Sequence, residues 1–219
     1  MRRRLKDYSL YLVITEEYGS GRSAVEIARA AIRGGVDVIQ MREKGKTREE
    51  LTGLGRKLSS LCKNSGVLFI VNDDPALAGE VNADGVHLGQ EDIKTFPLEA
   101  SRRILGPDKI IGVSTHSMAQ FKEANLADCD YVAFGPVFRT EIKEEYAGIG
   151  HIDEILKAAA KPVVFIGGIT SSNVEELLKK GARHISLIRS IAQAPDIEEA
   201  AGRFRKKIDR FISPERKNG

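Results

Sequence analysis

The chain has 219 residues, with 34 Lys and Arg against 31 Asp and Glu, a formal net charge of +3, and 42% hydrophobic and 30% charged residues. That composition excludes the apolar-poor, highly charged make-up of a disordered chain, and the small net charge gives no electrostatic footprint for nucleic acid. The length suits one domain over residues 1–219, with a core of about 9–212 between basic termini.

In chain order, short runs rich in Val and Ile alternate with amphipathic segments. The first strand is expected at LYLVIT (10–15) and the second at VDVIQMR (36–42). A helix follows, with Thr47 three residues before Glu50 as a capping box, Leu51, Leu54, Leu58 and Leu61 on one face, and Gly66 at its end. VLFIVND (67–73) is the third strand, and Asp74 before Pro75 is placed to cap the next helix. GVHLG (85–89), IIGVST (110–115), YVAFG (131–135) and PVVFIGG (162–168) continue the series. Ser172 stands three residues before Glu175 at a second capping-box spacing, Val174, Leu177 and Leu178 share a face, and Gly181 marks a helix end. HISLI (184–188) is the eighth strand, and Ile197, Ala200, Ala201, Phe204, Ile208 and Phe211 trace a last amphipathic helix.

Strands apolar on both faces belong to parallel sheets covered by helices. Eight evenly spaced βα units predict a single-domain (β/α)8 TIM barrel; an open doubly wound sheet is the competing arrangement. No stretch approaches the ~20 apolar residues of a membrane span. After Arg2, Arg3 and Arg4 the apolar run Leu10 to Ile14 is too short for a signal peptide. Cys62 and Cys129 form no CxxC pair, so no disulfide framework or zinc site is expected, and a reducing cytoplasm is. The basic run from Arg203 to Lys217 reads as a solvated face.

Active sites of such barrels lie at the C-terminal strand ends. Polar residues collect there: Gln40, Arg42 and Lys44; Asn72, Asp73 and Asp74; His87, Gln90, Glu91 and Asp92; Ser114, Thr115 and His116; Thr140 and Lys143; Gly167 and Gly168. Strand starts such as Val36, Val67 and Ile110 carry no matching set. Asp73 and Asp92 end neighbouring strands and can converge on one Mg2+, with a substrate diphosphate supplying further oxygens. Arg42, Lys44 and Lys143 would surround the same place with positive charge. Gly167 and Gly168 would let backbone approach a second phosphate. His116 is a candidate acid or base, whereas His87, inside its strand, reads as structural.

QMREK (40–44), VNDD (71–74), ADGVHLGQED (83–92), IGVSTHS (111–117), DYVAFGPVFRT (130–140) and IGGI (166–169) occur in the order and spacing of thiamine phosphate synthase, and the chain resembles that family from Tyr11 to about Phe211. The resemblance implies a Mg2+-dependent transferase. The diphosphate of the pyrimidine alcohol 4-amino-2-methyl-5-hydroxymethylpyrimidine (HMP-PP) would join thiazole phosphate, and pyrophosphate would leave before the thiazole nitrogen attacks. It implies Asp73 and Asp92 as metal ligands and Gln40, Arg42, Lys44, Asn72, Ser114 and Lys143 as pyrimidine-diphosphate contacts, with Arg42, Ser114 and Lys143 nearest the chemistry. Thr140, Gly168 and the backbone around Ile188 match the thiazole-phosphate contacts. The implied partners are these two small molecules, without nucleic acid or membrane, and a homo-oligomer is compatible with the sequence.

Two positions depart from the family pattern: Ile142 replaces the second Thr of a Thr-x-Thr-Lys segment, and Arg189 stands where a Ser is usual. Losing one hydroxyl hydrogen bond costs on the order of 1 kcal/mol, and Arg189 can either bind the phosphate or face solvent. Residues 141–150 are expected to close as a lid that keeps water from a reactive pyrimidine cation. Two other readings stay open on the sequence: a thiazole tautomerase using His116, and a non-catalytic barrel binding thiazole or thiamine phosphate.

Overall fold

Eight parallel strands close on themselves in this computed structural model, which describes residues 5–140 and 147–212. The strands are β1 (Leu10–Ile14), β2 (Val38–Met41), β3 (Leu68–Asn72), β4 (Gly85–Leu88), β5 (Ile110–Thr115), β6 (Tyr131–Phe134), β7 (Val163–Ile166) and β8 (His184–Leu187). Each pairs with the next in register, and Leu10–Leu12 against Ile185–Leu187 joins the last to the first. This closure is the (β/α)8 barrel and rules out the open sheet.

The helices of the outer layer are α1 (Ala24–Arg33), α2 (Arg48–Ser65), α3 (Pro75–Glu80), α4 (Asp92–Thr95), α5 (Leu98–Leu105), α6 (Met118–Leu126), α7 (Ile152–Ala158), α8 (Val174–Lys179), α9 (Arg189–Ala192) and α10 (Ile197–Ile212). Among the described residues none is long and apolar enough to cross a membrane.

The continuous apolar runs have a direct cause. One face of each strand packs under the helices, through residues such as Leu12, Ile39, Phe69, Val86 and Phe165. The other face fills the barrel interior with Tyr11, Val13, Val38, Leu68, Ile70, Ile110, Tyr131, Ala133 and Val164. Both faces are dry, so the pattern lacks the alternation of a half-exposed strand. Cys62 in α2 and Cys129 before β6 are buried and free.

Local signals behave as their chemistry demands. Thr47 and Glu50 form the reciprocal capping box, Asp74 accepts from Leu77 N at 2.8 Å with Pro75 in the first turn, and Gly66 closes α2 at φ 72°. An unpredicted box, Ser23 with Glu26, starts α1. The box expected at Ser172 does not form. Ser172 Oγ bonds Thr170 Oγ1, and α8 begins at Asn173, whose side chain closes the preceding turn by accepting from Thr170 N and donating to Gly168 O.

The N-terminal end of the barrel also departs from expectation, because it carries its own polar set. Asp37, Asp84 and Asp130 each stand immediately before an even-numbered strand, and each turns its carboxylate back onto the odd-numbered strand beside it. Asp37 Oδ2 accepts from Ser9 N and Leu10 N at 2.9 Å, Asp84 Oδ2 from Phe69 N at 2.8 Å, and Asp130 Oδ2 from Ile111 N at 2.9 Å. Arg205 of α10 and Arg102 of α5 cover the first and last of these at 2.8 Å. Arg205 is therefore part of this lower clamp and no solvated tail residue. These carboxylates are spent on the backbone N–H groups of neighbouring strands.

Asp84→Ala leaves the Phe69 N–H without its acceptor inside the sheet, which is expected to cost about 1–3 kcal/mol of stability. Urea unfolding followed by circular dichroism measures it; an unchanged midpoint would show that water replaces the carboxylate without penalty.

Candidate active site

The C-terminal strand ends bring most of the predicted residues to one mouth, in two groups. The first spans β2 to β5. Beyond β2 the chain continues in extended pairing, with Arg42 N donating to Ile14 O at 2.9 Å. Arg42, Glu43 and Lys44 line a cleft of about 180 Å3 with Asn72, Asp73 and Asp74. Glu43 accepts from Glu16 N at 2.7 Å and is raised in pKa mainly by its partial burial.

Asp73 leaves β3 with φ 68°, a left-handed conformation unusual for a residue with a side chain, and its N–H donates to His87 O of β4 at 2.8 Å. This backbone turn separates two adjacent carboxylates: Asp74 caps α3 and pairs with Arg48, while Asp73 faces Asp92 across the β3–β4 seam. Asp92 opens α4 and accepts from Gly89 N at 2.8 Å through Oδ2. Burial and then contact with Asp92 lift the Asp73 carboxyl well above the usual carboxylate range, against the opposing pull of Lys44 and Arg42. Two hard oxygen donors pressed together, with positive side chains beside them, fit a divalent cation that takes its remaining ligands from water and phosphate. No cluster of three or more His, Cys, Asp or Glu side chains able to hold a metal occurs among the described residues.

Gln40 and Ser114 stand across the barrel from one another, on β2 and β5. Gln40 is only 4% exposed, and its Nε2 donates to Tyr11 Oη at 2.7 Å. Ser114 Oγ lies 2.8 Å from His87 Nε2, and its carbonyl accepts from Gln90 Nε2. Three polar neighbours fall outside the site. Thr115 is fully buried on the helix side of β5 and donates to Ala133 O at 3.0 Å; Glu91 pairs with Lys94 at the surface; His116 is exposed, with Nδ1 held 2.6 Å from Gly135 O. Strand alternation explains Thr115, and the carbonyl contact fixes the orientation of the His116 ring.

The second group lies at the ends of β6, β7 and β8. Gly167 and Gly168 adopt φ 100° and 66°. A Cβ on Gly168 would meet Arg139 O at 2.5 Å and Phe138 O at 2.7 Å, so the close approach these glycines allow is first an approach of the β6 loop. That contact holds Thr140, the next residue, beside Gly168. Ser190 Oγ donates to Ile169 O at 2.6 Å and ties the β7 loop to the start of α9, where Ile188 and Arg189 sit. The Arg189 guanidinium lies over the Tyr18 ring, 4.4 Å from its centroid, and joins the β1 loop to the same rim. Ile142 and Lys143 lie outside the described residues, as does most of the segment expected to form a lid.

Comparison with known proteins decides between these readings. The family model described as thiamine monophosphate synthase matches residues 10–191. The chain belongs to that family. It is 40% identical over 200 residues to the thiamine-phosphate synthase of Shouchella clausii, covering 90% of this chain and 94% of that one. With the enzyme of that name from Persephonella marina it shares 38% identity over 207 residues, covering 94% and 98%. Among solved structures, the thiamine phosphate pyrophosphorylase of Pyrococcus furiosus superposes with a TM-score of 0.86 at 34% identity, covering 94% of this chain and 97% of that one. The relatives named here are thiamine-phosphate synthases, which are transferases, and this matches the synthase reading, not the tautomerase or the non-catalytic barrel.

Sequence reasoning missed Tyr11, Tyr131 and the place of His87 in the site. Their one visible signal was a hydroxyl or imidazole in phase with Gln40 and Ser114 on strands otherwise filled with aliphatic residues.

Gly168→Ala sets a side chain in the left-handed region, at about 1–2 kcal/mol, and drives its Cβ into the β6 loop. Loss of thermal stability together with weaker binding of a phosphate-bearing ligand is expected, by thermal-shift titration. Unaltered ligand-induced stabilisation would mean that the loop and the phosphate position are independent.

Proposed function

We propose that the chain joins HMP-PP to thiazole phosphate, giving thiamine phosphate and pyrophosphate, with Mg2+ at Asp73 and Asp92. The observation that carries this reading is the pair of carboxylates in contact beside Arg42, Lys44 and Asn72, a combination that serves a diphosphate leaving group. Bound Mg2+ would neutralise the charge that develops on the diphosphate as it departs.

The reaction breaks the bond between the pyrimidine methylene carbon and the diphosphate oxygen, and the electron pair leaves with pyrophosphate. The thiazole ring nitrogen then supplies the pair that forms the new C–N bond. Arg42 and Lys44 would bind the diphosphate through a planar fork and a point charge, and both interactions strengthen as negative charge gathers there. Asn72 would donate to a phosphate oxygen, and Lys143 is proposed, on the family resemblance alone, to bind the same group. Gln40 and Ser114 would hold the edge of the pyrimidine ring. Thr140, Gly168, Ile188 and Arg189 would receive the thiazole phosphate, with the charge of Arg189 compensating for the hydroxyl that Ile142 lacks. No side chain is needed as nucleophile.

Pyrophosphate release from HMP-PP plus thiazole phosphate tests the reading, with and without Mg2+. Release should require both substrates and the metal, and Asp92→Ala should slow it by roughly 100-fold or more. Turnover by wild type that persists in a chelator, or by Asp92→Ala at the wild-type rate, would remove the metal pair from the mechanism.

A further inference from the structure

A continuous line of hydrogen bonds crosses the barrel interior from Gln40 to Ser114. Gln40 Nε2 donates to Tyr11 Oη at 2.7 Å, Tyr11 Oη lies 2.9 Å from Tyr131 Oη, Tyr131 Oη lies 2.8 Å from His87 Nδ1, and His87 Nε2 lies 2.8 Å from Ser114 Oγ. The five residues come from β2, β1, β6, β4 and β5. The two ends belong to the candidate site, whereas Tyr11, Tyr131 and His87 are buried beneath it at 3%, 0% and 7% exposure.

The direction of this line follows from counting protons. Each phenol has one proton, and a neutral imidazole has one N–H and one acceptor nitrogen. Burial keeps both phenols protonated, and the buried imidazole stands between two hydroxyls, Tyr131 Oη and Ser114 Oγ, where one N–H and one acceptor nitrogen satisfy both contacts. Because Gln40 donates into Tyr11 Oη, the Tyr11 proton must go to Tyr131 Oη and the Tyr131 proton to His87 Nδ1. His87 then carries its proton on Nε2 and donates it to Ser114 Oγ. Every bond points the same way, and Ser114 is left with its own proton to give. At the other end, with Nε2 given to Tyr11, the amide oxygen is the acceptor that Gln40 has to offer.

The surroundings hold this line in place. Gly112 of β5 lies under the hydroxyl end of Tyr131: a Cβ there would meet Tyr131 Cζ at 2.0 Å and Oη at 2.4 Å. The His87 ring stacks on Tyr131 at a centroid distance of 5.5 Å. Reversing the line would require the Gln40 amide to flip, both phenol protons to turn and the His87 proton to change nitrogen together.

We propose that Tyr11, Tyr131 and His87 are positioning residues that set the hydrogen-bond polarity of the ring-binding pocket, so that Gln40 presents an acceptor and Ser114 a donor. A ring edge with an amino group beside an unprotonated ring nitrogen matches this pair. The 4-oxo counterpart, a carbonyl beside a ring N–H, sets its carbonyl against the Gln40 oxygen, acceptor against acceptor. The proposal rests on the assignment of a pyrimidine to this pocket and adds which pyrimidine edge it accepts.

Two measurements test it. Calorimetric titration, in Mg2+, of HMP-PP and its 4-oxo analogue into wild type, Tyr131→Phe and Tyr11→Phe gives the amino-to-oxo affinity ratio. Wild type should favour the amino form by roughly 100-fold or more, and either isosteric variant should lower that ratio by about tenfold, because an unpaired buried polar group sets the discrimination. A role in stability alone would weaken both ligands equally; an unchanged ratio in folded variants overturns the proposal. Nitrogen-15 NMR of His87 in the ligand-free protein reads the direction of the line by itself. The Nε2–H tautomer is expected, and the Nδ1–H tautomer overturns the proposal whatever the substrate. Wild type that binds neither pyrimidine while showing the Nε2–H tautomer overturns the substrate assignment, and with it the amino-edge specificity.

Discussion

Two carboxyl groups held against each other, Asp73 and Asp92, are the unfavourable contact around which the barrel mouth is organised. Burial first, and then the hydrogen bond and charge of Asp92, raise the Asp73 pKa, so the two carboxyl groups do not both ionise freely in this half-buried place. Asp73 carries a second cost, a left-handed backbone conformation. Neither would persist if the strand ends could relax. They cannot, because Asp73 N is tied to β4 through His87 O and Asp92 is tied to Gly89 N, while the register of every strand is set by closure onto both neighbours. Stability gained in the two hydrophobic layers supports strain at the rim.

The same logic separates the two ends of the barrel. Both carry aspartates next to strands. At the lower end Asp37, Asp84 and Asp130 are consumed by backbone N–H groups, and arginines cover Asp37 and Asp130. At the upper end the cations Arg42 and Lys44 border the carboxylate pair and a cleft. The lower carboxylates meet N–H groups and arginines, whereas Asp73 and Asp92, the latter also accepting from Gly89 N, face each other beside Arg42 and Lys44.

Much of this was legible in the chain. All eight strands lie where the Val- and Ile-rich runs predict, because strands buried on both faces need apolar residues at nearly every position. The predicted strands run past the observed ends at Arg42, Asp73, Gly89 and Gly167–Gly168. Beyond Asp73, Gly89 and Gly168 the chain leaves the sheet, whereas Arg42 keeps one bond to Ile14 O of β1. The same double burial hid the rest. In a strand dry on both sides, sequence does not say which residues face the interior, so Tyr11 and Tyr131 read as core and His87 as merely structural. Thr115 was grouped with the site for the opposite reason, since nothing local shows that it faces the helices. Asp37, Asp84 and Asp130 were passed over because a single residue before a strand has no periodicity to reveal it.

The account stands on the carboxylate pair serving a cation shared with a diphosphate. Calorimetric titration of inorganic pyrophosphate into the protein, with and without Mg2+, and into Asp73→Asn under the same conditions, tests this most directly. The account predicts that Mg2+ tightens pyrophosphate binding by roughly tenfold or more in wild type, and that the isosteric amide removes this gain while leaving the protein folded. Pyrophosphate binding indifferent to Mg2+, or equally enhanced by it in Asp73→Asn, would contradict it.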